Sequence, residues 1–268
     1  MLKKWKYLSP IIISFLIILA WHTTRGIETI GQNTLILSSQ PDFNDQIEEQ
    51  HCHKDGIEAN YPSVISGSTK EKLKKWNSII TGDFNKILQI YSFNPFPELQ
   101  PTPTGAAPVI LNVDYDLKLN NSQLASIFYK AAFNSPYSAH PTELVYTTNI
   151  DKRNDKRLRL SDMVKLNADF AKDFKSWDFK TYQVGNEVLN NIIRDYIKDM
   201  SVEDLLQGFE SADQIGSDNL WGVFSYLTHD RLGISVSVPN YIGDHVEFEK
   251  NYSEIEDYLK PVLRDYIR

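Results

Sequence analysis

Histidines beside acidic or thiol residues are the first side chains in this sequence that could do chemistry. His51-Cys52-His53 offers imidazole and thiolate, which zinc and copper accept as ligands. Three consecutive side chains cannot easily converge on one tetrahedral ion, and no second His/Cys group lies near them in the sequence. We therefore expect no metal site and no cofactor. Cys52 is interpreted as a free thiol, with an intermolecular disulfide as the alternative.

Two loop segments contain the other candidate residues. His140 lies in Tyr137-Ser-Ala-His-Pro141, where an imidazole could act as a general base, contact a ligand or bond to the turn backbone. Asp244 and His245 are adjacent, but chain neighbours usually point apart, so a turn closed by Asp244 is the structural alternative. We predict no catalytic residue. The predicted binding residues are Tyr137, His140, Tyr241, Asp244 and His245.

Residues 109–119 show the clearest strand pattern, because apolar and polar residues alternate over the whole segment. The alternation predicts a half-buried antiparallel strand with one face toward the core. Asp114 and Asp116 share the polar face. Paired carboxylates can hydrolyse glycosidic bonds, but acids on one face of a strand more often only solvate an exposed sheet. We adopt the second interpretation.

The other periodic segments predict a mixture of strands and helices. Alternation and turn signals predict strands near 124–133, 143–150, 221–228, 232–238 and 246–250. A helix is the alternative for the first of these. Helical spacing predicts helices near 69–91, 162–176, 186–199, 201–210 and from Ser253 onward, and Pro261 should kink or shorten the last of them. Because these elements do not alternate regularly, we predict an α+β fold with a mainly antiparallel sheet and packed helices.

The N-terminus has the features of an export or membrane segment. Residues 7–24 carry no charged side chain and are just long enough to span a bilayer, and three lysines precede them. We predict a signal anchor over residues 1–25. A cleaved signal peptide and a buried soluble helix are the alternatives. The positive-inside rule predicts a single-pass cell-membrane protein with its body outside the cytoplasm, or a periplasmic or secreted protein after cleavage.

Length and charge describe the rest of the chain. Its 268 residues suffice for one large domain or two small ones, and a composition with 41% hydrophobic residues excludes collagen-like, coiled-coil and wholly disordered proteins. The net charge is −7, but after the first 25 residues 24 basic residues face 35 acidic ones, a net charge of −11. We interpret residues 26–56 as an acidic tether and residues 57–268 as one α+β domain.

Several short segments, taken in order, resemble a known family. They are Ile57-Glu-Ala-Asn-Tyr-Pro62, Trp76-Asn77, Asp114-Tyr115, Tyr137-Ser-Ala-His-Pro141, Asn149-Ile-Asp151, Leu158-Arg-Leu-Ser-Asp162, Phe224-Ser-Tyr-Leu-Thr-His-Asp-Arg-Leu-Gly-Ile-Ser-Val236 and Tyr241-Ile-Gly-Asp-His-Val-Glu247. Over about residues 57–266 the chain resembles the extracytoplasmic module of RsiV-type anti-sigma factors, which also lies beside the enzyme domain of the PdaC peptidoglycan deacetylase. The resemblance implies an α+β envelope domain. In RsiV-type proteins this module binds lysozyme, a strongly basic protein.

The chain departs from these relatives in its expected domain composition and in one loop. We expect neither a cytoplasmic anti-sigma segment nor a deacetylase domain. Ser138 stands where the family loop usually has glycine, so this loop need not adopt the family conformation.

These observations predict a non-catalytic, membrane-tethered or exported binding module of the cell envelope. Its acidic body would recognise a basic protein such as lysozyme, or a cell-wall component such as peptidoglycan, and its charge argues against nucleic acid. The alternative is an envelope hydrolase acting on peptidoglycan or another glycan, with His140, Asp162 or Asp244 among its catalytic groups. A structural scaffold is a third hypothesis, which the sequence does not separate from the first.

Overall fold

Six strands form the larger of two sheets in the structure, a computed structural model that describes residues 45–54, 56–92, 110–134, 141–180, 186–216, 218–219 and 221–267. The strands are β1 (Ile47–Lys54), β2 (Ile57–Val64), β3 (Ile110–Asn120), β4 (Leu124–Asn134), β5 (Thr142–Asp151) and β6 (Lys156–Leu158). They lie side by side in this order. Neighbouring strands are antiparallel except β2 and β3, which are parallel.

One long helix, α1 (Lys70–Ser92), covers one face of this sheet. It provides part of the crossover that a parallel pair such as β2 and β3 requires. Trp76, Ile80 and Phe84 recur at helical spacing and are buried against the strands. The Phe84 ring stacks on Tyr61 of β2, with 4.2 Å between the ring centroids. The apolar face of α1 therefore fixes which face of the sheet is the core.

The smaller sheet and most of the helices form the other half of the body. Its antiparallel strands, in the spatial order β7-β10-β9-β8, are β7 (Asp178–Phe179), β8 (Phe224–Leu227), β9 (Arg231–Ser237) and β10 (His245–Asn251). The helices are α2 (Leu160–Met163), α3 (Ala168–Phe174), α4 (Glu187–Asp199), α5 (Val202–Glu210) and α6 (Pro261–Arg264). Single 3₁₀ turns span Asn240–Ile242, Tyr252–Glu254 and Glu256–Tyr258. Packed aromatic rings, including Phe174 between Phe209 and Phe248, fill this core.

A buried carboxylate, Asp213, connects the two sheets. It accepts hydrogen bonds from Thr147 Oγ1 of β5 (3.2 Å), from Leu160 N (2.6 Å), and from both the backbone N and the hydroxyl of Ser225 on β8 (2.6 Å each). Burial raises the pKa of Asp213, although these donors oppose the rise. Its φ of 63° is a left-handed conformation that aspartate tolerates. The described residues of both sheets consequently form one compact unit.

The predicted α+β fold with mainly antiparallel sheet is confirmed. The helical alternative for residues 124–133 is wrong, because β4 pairs with β3 on one side and β5 on the other. The helix predicted near 162–176 is divided into α2 and α3. Val164 leaves the helical conformation between them and forms an isolated bridge with Leu259.

The predicted start of the final helix at Ser253 is wrong, whereas the helix is short, one of the two effects expected of Pro261. This segment forms two 3₁₀ turns followed by the short helix α6, which begins at Pro261. Proline has no N–H to donate and pushes the preceding residue into an extended conformation, and Lys260 has φ −86° and ψ 163°. Pro261 therefore starts a helix where the apolar spacing predicted a helix interior.

The predicted acidic tether over residues 26–56 is wrong for its last part. Ile47–Lys54 forms β1, the edge strand of the larger sheet, and pairs with β2 along its length. Cys52 is a half-buried free thiol on this strand and packs against the core of the larger sheet. The predicted anchor over residues 1–25 and the rest of the tether lie outside the described residues. None of the described helices is long and apolar enough to cross a membrane.

Candidate ligand-binding site

A groove of about 560 Å³ lies on the face of the larger sheet opposite α1. Strand register sets its floor, because Glu58, Asn112, Ala132 and Glu143 form one row across β2, β3, β4 and β5. These residues alternate with core residues such as Ala59, so their side chains point away from α1. The small side chain of Ala132 leaves a depression in the middle of this row. Three strand spacings, about 14 Å, separate the acids at its two ends.

Carboxylates dominate the charge of this groove. Glu58, Asp114 and Glu143 line it, and Lys130 is the one lysine or arginine among its described lining residues. The Lys130 ammonium lies 2.9 Å from Asp116 Oδ2, so its charge is already offset by an acid of β3. Partial burial alone would raise the pKa of Asp116, but Lys130 and Lys118 hold it below its usual value. The groove therefore presents a net negative surface.

His245 reaches this groove from the smaller sheet, and Asp244 holds the turn that places it there. Gly243 and Asp244 have φ of 116° and 65°. The Asp244 carboxylate accepts from Glu143 N (2.9 Å) and from Asn240 Nδ2 (2.7 Å). His245 is 8% exposed, and its Nδ1 lies 3.4 Å from the Glu143 carbonyl oxygen. Asp244 thus plays the structural role that was the alternative interpretation, whereas His245 lines the groove.

Tyr241 borders a second, smaller opening next to the groove. This slot has a volume of about 280 Å³ and lies between α4 and the turn Asn240–Ile242. The Tyr241 side chain is 75% exposed at its rim. Glu143 and His245 line both the slot and the groove. The structure therefore places Tyr241, Asp244 and His245 together, while Tyr137 and His140 lie outside the described residues.

The acids of the hydrolase alternative have structural partners. Asp162 Oδ2 accepts from the backbone N of Arg159 at 2.9 Å, at the start of α2, and Asp244 closes its turn as described. His140 is not described. In the described part of the chain no three His, Cys, Asp or Glu side chains lie close enough to hold a metal ion. His51 Nδ1 lies 2.7 Å from Asn60 Oδ1. His53 Nδ1 lies 3.6 Å from Glu58 Oε1.

A second charged cluster lies on β10, on the same face of the strand as His245. The Tyr226 hydroxyl lies 2.9 Å from Glu247 Oε2 and 2.8 Å from Glu249 Oε1, and Lys180 Nζ lies 2.6 Å from Glu249 Oε1. Burial and both carboxylates raise the pKa of Tyr226. Burial alone would lower the pKa of Lys180, but the two glutamates hold it above its usual value. Two carboxylates face this one ammonium, so Lys180 does not neutralise the neighbouring groove.

Sequence reasoning missed Glu58 and Glu143 as site residues. It placed Asp114 on a polar sheet face but gave it only a solvating role. The alternation of β3 was a signal for that face. The row from Glu58 to Glu143 depends on the pairing register of four strands, and one sequence does not contain that information.

Two crystal structures are similar to this chain in their fold. One is a member of the DUF3298 family from Bacteroides fragilis, with 14% identity, a TM-score of 0.47, and coverage of 82% of this chain and 95% of that chain. The other is a DUF3298 family protein from Pseudomonas aeruginosa, with 13% identity, a TM-score of 0.44, and coverage of 82% and 94%. No family model and no curated protein matches the chain.

Proposed function

We propose that this protein is a non-catalytic binding module whose acidic groove takes a cationic group of its partner. The observation that carries the proposal is the arrangement of Glu58, Asp114 and Glu143 around one open groove with Ala132 at its floor. A lysine or arginine side chain suits this shape, because its apolar stem covers the floor while its charged end meets a carboxylate. Opposite charges across an interface also speed the encounter of two proteins.

The nature of the partner is inferred from charge and resemblance. We propose a basic protein such as lysozyme, or a cell-wall component such as peptidoglycan. The net charge of −11 over residues 26–268 supports a basic partner. The sequence resemblance to the RsiV-type module and to the module beside the PdaC enzyme domain supports a place in the cell envelope. The apolar segment at residues 7–24 supports an extracytoplasmic body held at the membrane or exported.

Calorimetry with lysozyme tests the proposal. The full-length chain, kept in a non-ionic detergent, is titrated with lysozyme at low and at moderate salt. We expect binding that weakens as salt rises, because screening acts on exposed charges. A triple variant, Glu58→Gln, Asp114→Asn and Glu143→Gln, should bind at least about tenfold more weakly and depend less on salt.

A matched variant separates the groove from overall charge. Glu71→Gln, Asp169→Asn and Glu203→Gln removes the same three charges from exposed helix positions outside the groove. We expect it to retain most of the affinity. Equal loss in the two triple variants would mean that net charge alone attracts lysozyme. No heat and no co-elution at either salt concentration would exclude lysozyme as the partner.

A further inference from the structure

The slot beside the acidic groove has the walls of an apolar pocket. Leu189 and Ile193 of α4 and Ile242 of the adjacent turn line it, and Asn190 and Asn240 provide amide groups at its sides. A small concave space with mostly apolar walls and a few polar groups is typical of a site for an apolar group.

Exposed apolar side chains lie on the two elements that form the slot, α4 and the turn Asn240–Ile242. Tyr241 is 75% exposed, Val188 is 72% exposed and Ile192 is 40% exposed. Val188 and Ile192 are four residues apart and therefore neighbours on the surface of α4. Single exposed apolar residues are common, but a group of them on elements that form one pocket is typical of an interaction surface.

The slot and the groove adjoin each other. Glu143 and His245 line both of them, so two side chains bound in the two openings are neighbours. Their characters differ: the groove is acidic, whereas apolar side chains form much of the slot, and Lys180 beside it is already paired with Glu249. A ligand that fits both openings carries a positive charge beside an apolar group.

We propose that the slot binds an apolar side chain of the same partner, next to the lysine or arginine side chain held in the groove. The partner surface is then a basic polypeptide in which an apolar residue neighbours a basic one. Tyr241 forms the outer wall over this apolar side chain and selects for it. The inference rests on the proposed function. It specifies which basic surface is recognised, because a groove for cations alone accepts any accessible lysine or arginine.

Short capped peptides test this two-point contact. The first probe is a glycine peptide with one lysine. The second set adds one leucine, one to four positions after the lysine, and NMR follows the backbone amides of the isotope-labelled full-length chain. We expect the lysine peptide to shift the amides of Glu58, Asp114 and Glu143. At least one lysine–leucine peptide should also shift the amide signal of Tyr241. It should bind about tenfold more tightly, because burying a leucine side chain contributes enough free energy for such a gain.

Two variants assign the gain to the slot. Tyr241→Ala should remove most of the added affinity and leave binding of the lysine peptide unchanged, since the residue is too exposed to support the core. Ile65→Ser changes an exposed apolar residue outside the slot and should leave both affinities unchanged.

The possible outcomes are distinct. If the lysine peptide binds the groove and no leucine position adds affinity, the slot inference is wrong and the proposed function stands. If neither type of peptide shifts the groove amides, the proposed function fails and the slot inference fails with it. If a trimer of N-acetylglucosamine shifts Tyr241 at lower concentration than every lysine–leucine peptide, the slot is a sugar site, and the inference is overturned.

Discussion

The ring of Tyr226 lies directly against Gly233, its cross-strand neighbour on β9. A Cβ atom at position 233 would lie 2.2 to 2.5 Å from three ring carbons. The ring cannot easily move away, because its hydroxyl contacts Glu247 and Glu249 and Phe128 of β4 packs edge-on to it at 5.1 Å between centroids. The absence of a side chain at Gly233 is therefore what admits the ring that packs between the sheets.

We expect Gly233→Ala to destabilise the protein by about 3 kcal/mol, the upper part of the usual range for overpacking. Gly82→Ala in α1 is the matched control, because nothing lies within 4 Å of its added Cβ. That change should stabilise the protein by about 0.5–1 kcal/mol, since glycine is a poor helix former. Denaturant unfolding measures both variants. Equal effects in the two would show that the close contact at Gly233 is unimportant.

The carboxylate of Asp213 should be essential to the joint between the sheets. Asp213→Asn keeps the left-handed backbone conformation but replaces one accepting oxygen with a donating amide, so one of the buried N–H groups of Leu160 and Ser225 loses its acceptor. We expect a loss of about 2–3 kcal/mol in unfolding free energy. Asp155→Asn, also at positive φ but nearer the surface, should cost less. An Asp213→Asn protein as stable as the parent would contradict this role.

Lys152 and Asp45 form a buried ion pair at the start of the described chain. Their side chains are 1% and 4% exposed, and the Lys152 ammonium also donates to Asn120 Oδ1 (2.6 Å) and the Asn121 carbonyl oxygen (2.7 Å). Burial lowers the pKa of Lys152, although Asp45 opposes this. The pair holds Asp45, two residues before β1, to the turn between β5 and β6, and Lys152 links both to the turn between β3 and β4.

Breaking this pair on one side should cost about 3–5 kcal/mol, because it leaves a buried charge unpaired. We expect this loss for Asp45→Asn. The double variant Asp45→Asn with Lys152→Met should be less destabilised than the sum of the single variants by about 1–3 kcal/mol. A double-mutant cycle by thermal unfolding checks the coupling. Strictly additive losses would show that the two side chains do not depend on each other.

Asp116 should make stability depend on pH in the acid range. Its pKa lies below the ordinary value of 3.8 in the folded protein, because Lys130 and Lys118 favour the carboxylate. The stabilisation that the charged Asp116 gives the folded protein is fully present above pH 3.8. It is lost as the pH falls through the lower pKa of the folded state. Since the side chain is 46% exposed, we expect less than about 1 kcal/mol. Asp116→Asn should lose this part of the acid dependence, and Asp169→Asn should retain it.

Local patterns predicted most elements of this fold. The alternation in β3 and the apolar spacing of α1 are properties of consecutive residues, so they are readable before any partner is known. β1 escaped prediction because an edge strand is held by backbone hydrogen bonds to β2, and its sequence, Ile-Glu-Glu-Gln-His-Cys-His-Lys, has almost no apolar face. Pro261 was expected to kink or shorten the final helix, but the apolar spacing did not indicate that the helix begins at this proline.

The candidate site, like the fold, was predictable from the sequence only in part. The sequence by itself determined an acidic body, a polar face on β3 with Asp114, and a tight turn at Gly243-Asp244 between the candidate residues Tyr241 and His245. Only the tertiary structure decided that Glu58 and Glu143 stand at opposite ends of one row, with Ala132 between them. The reason is physical: side-chain direction follows from position along a strand, whereas proximity between strands follows from register. Register is set by packing against α1 and by buried contacts such as those of Asp213.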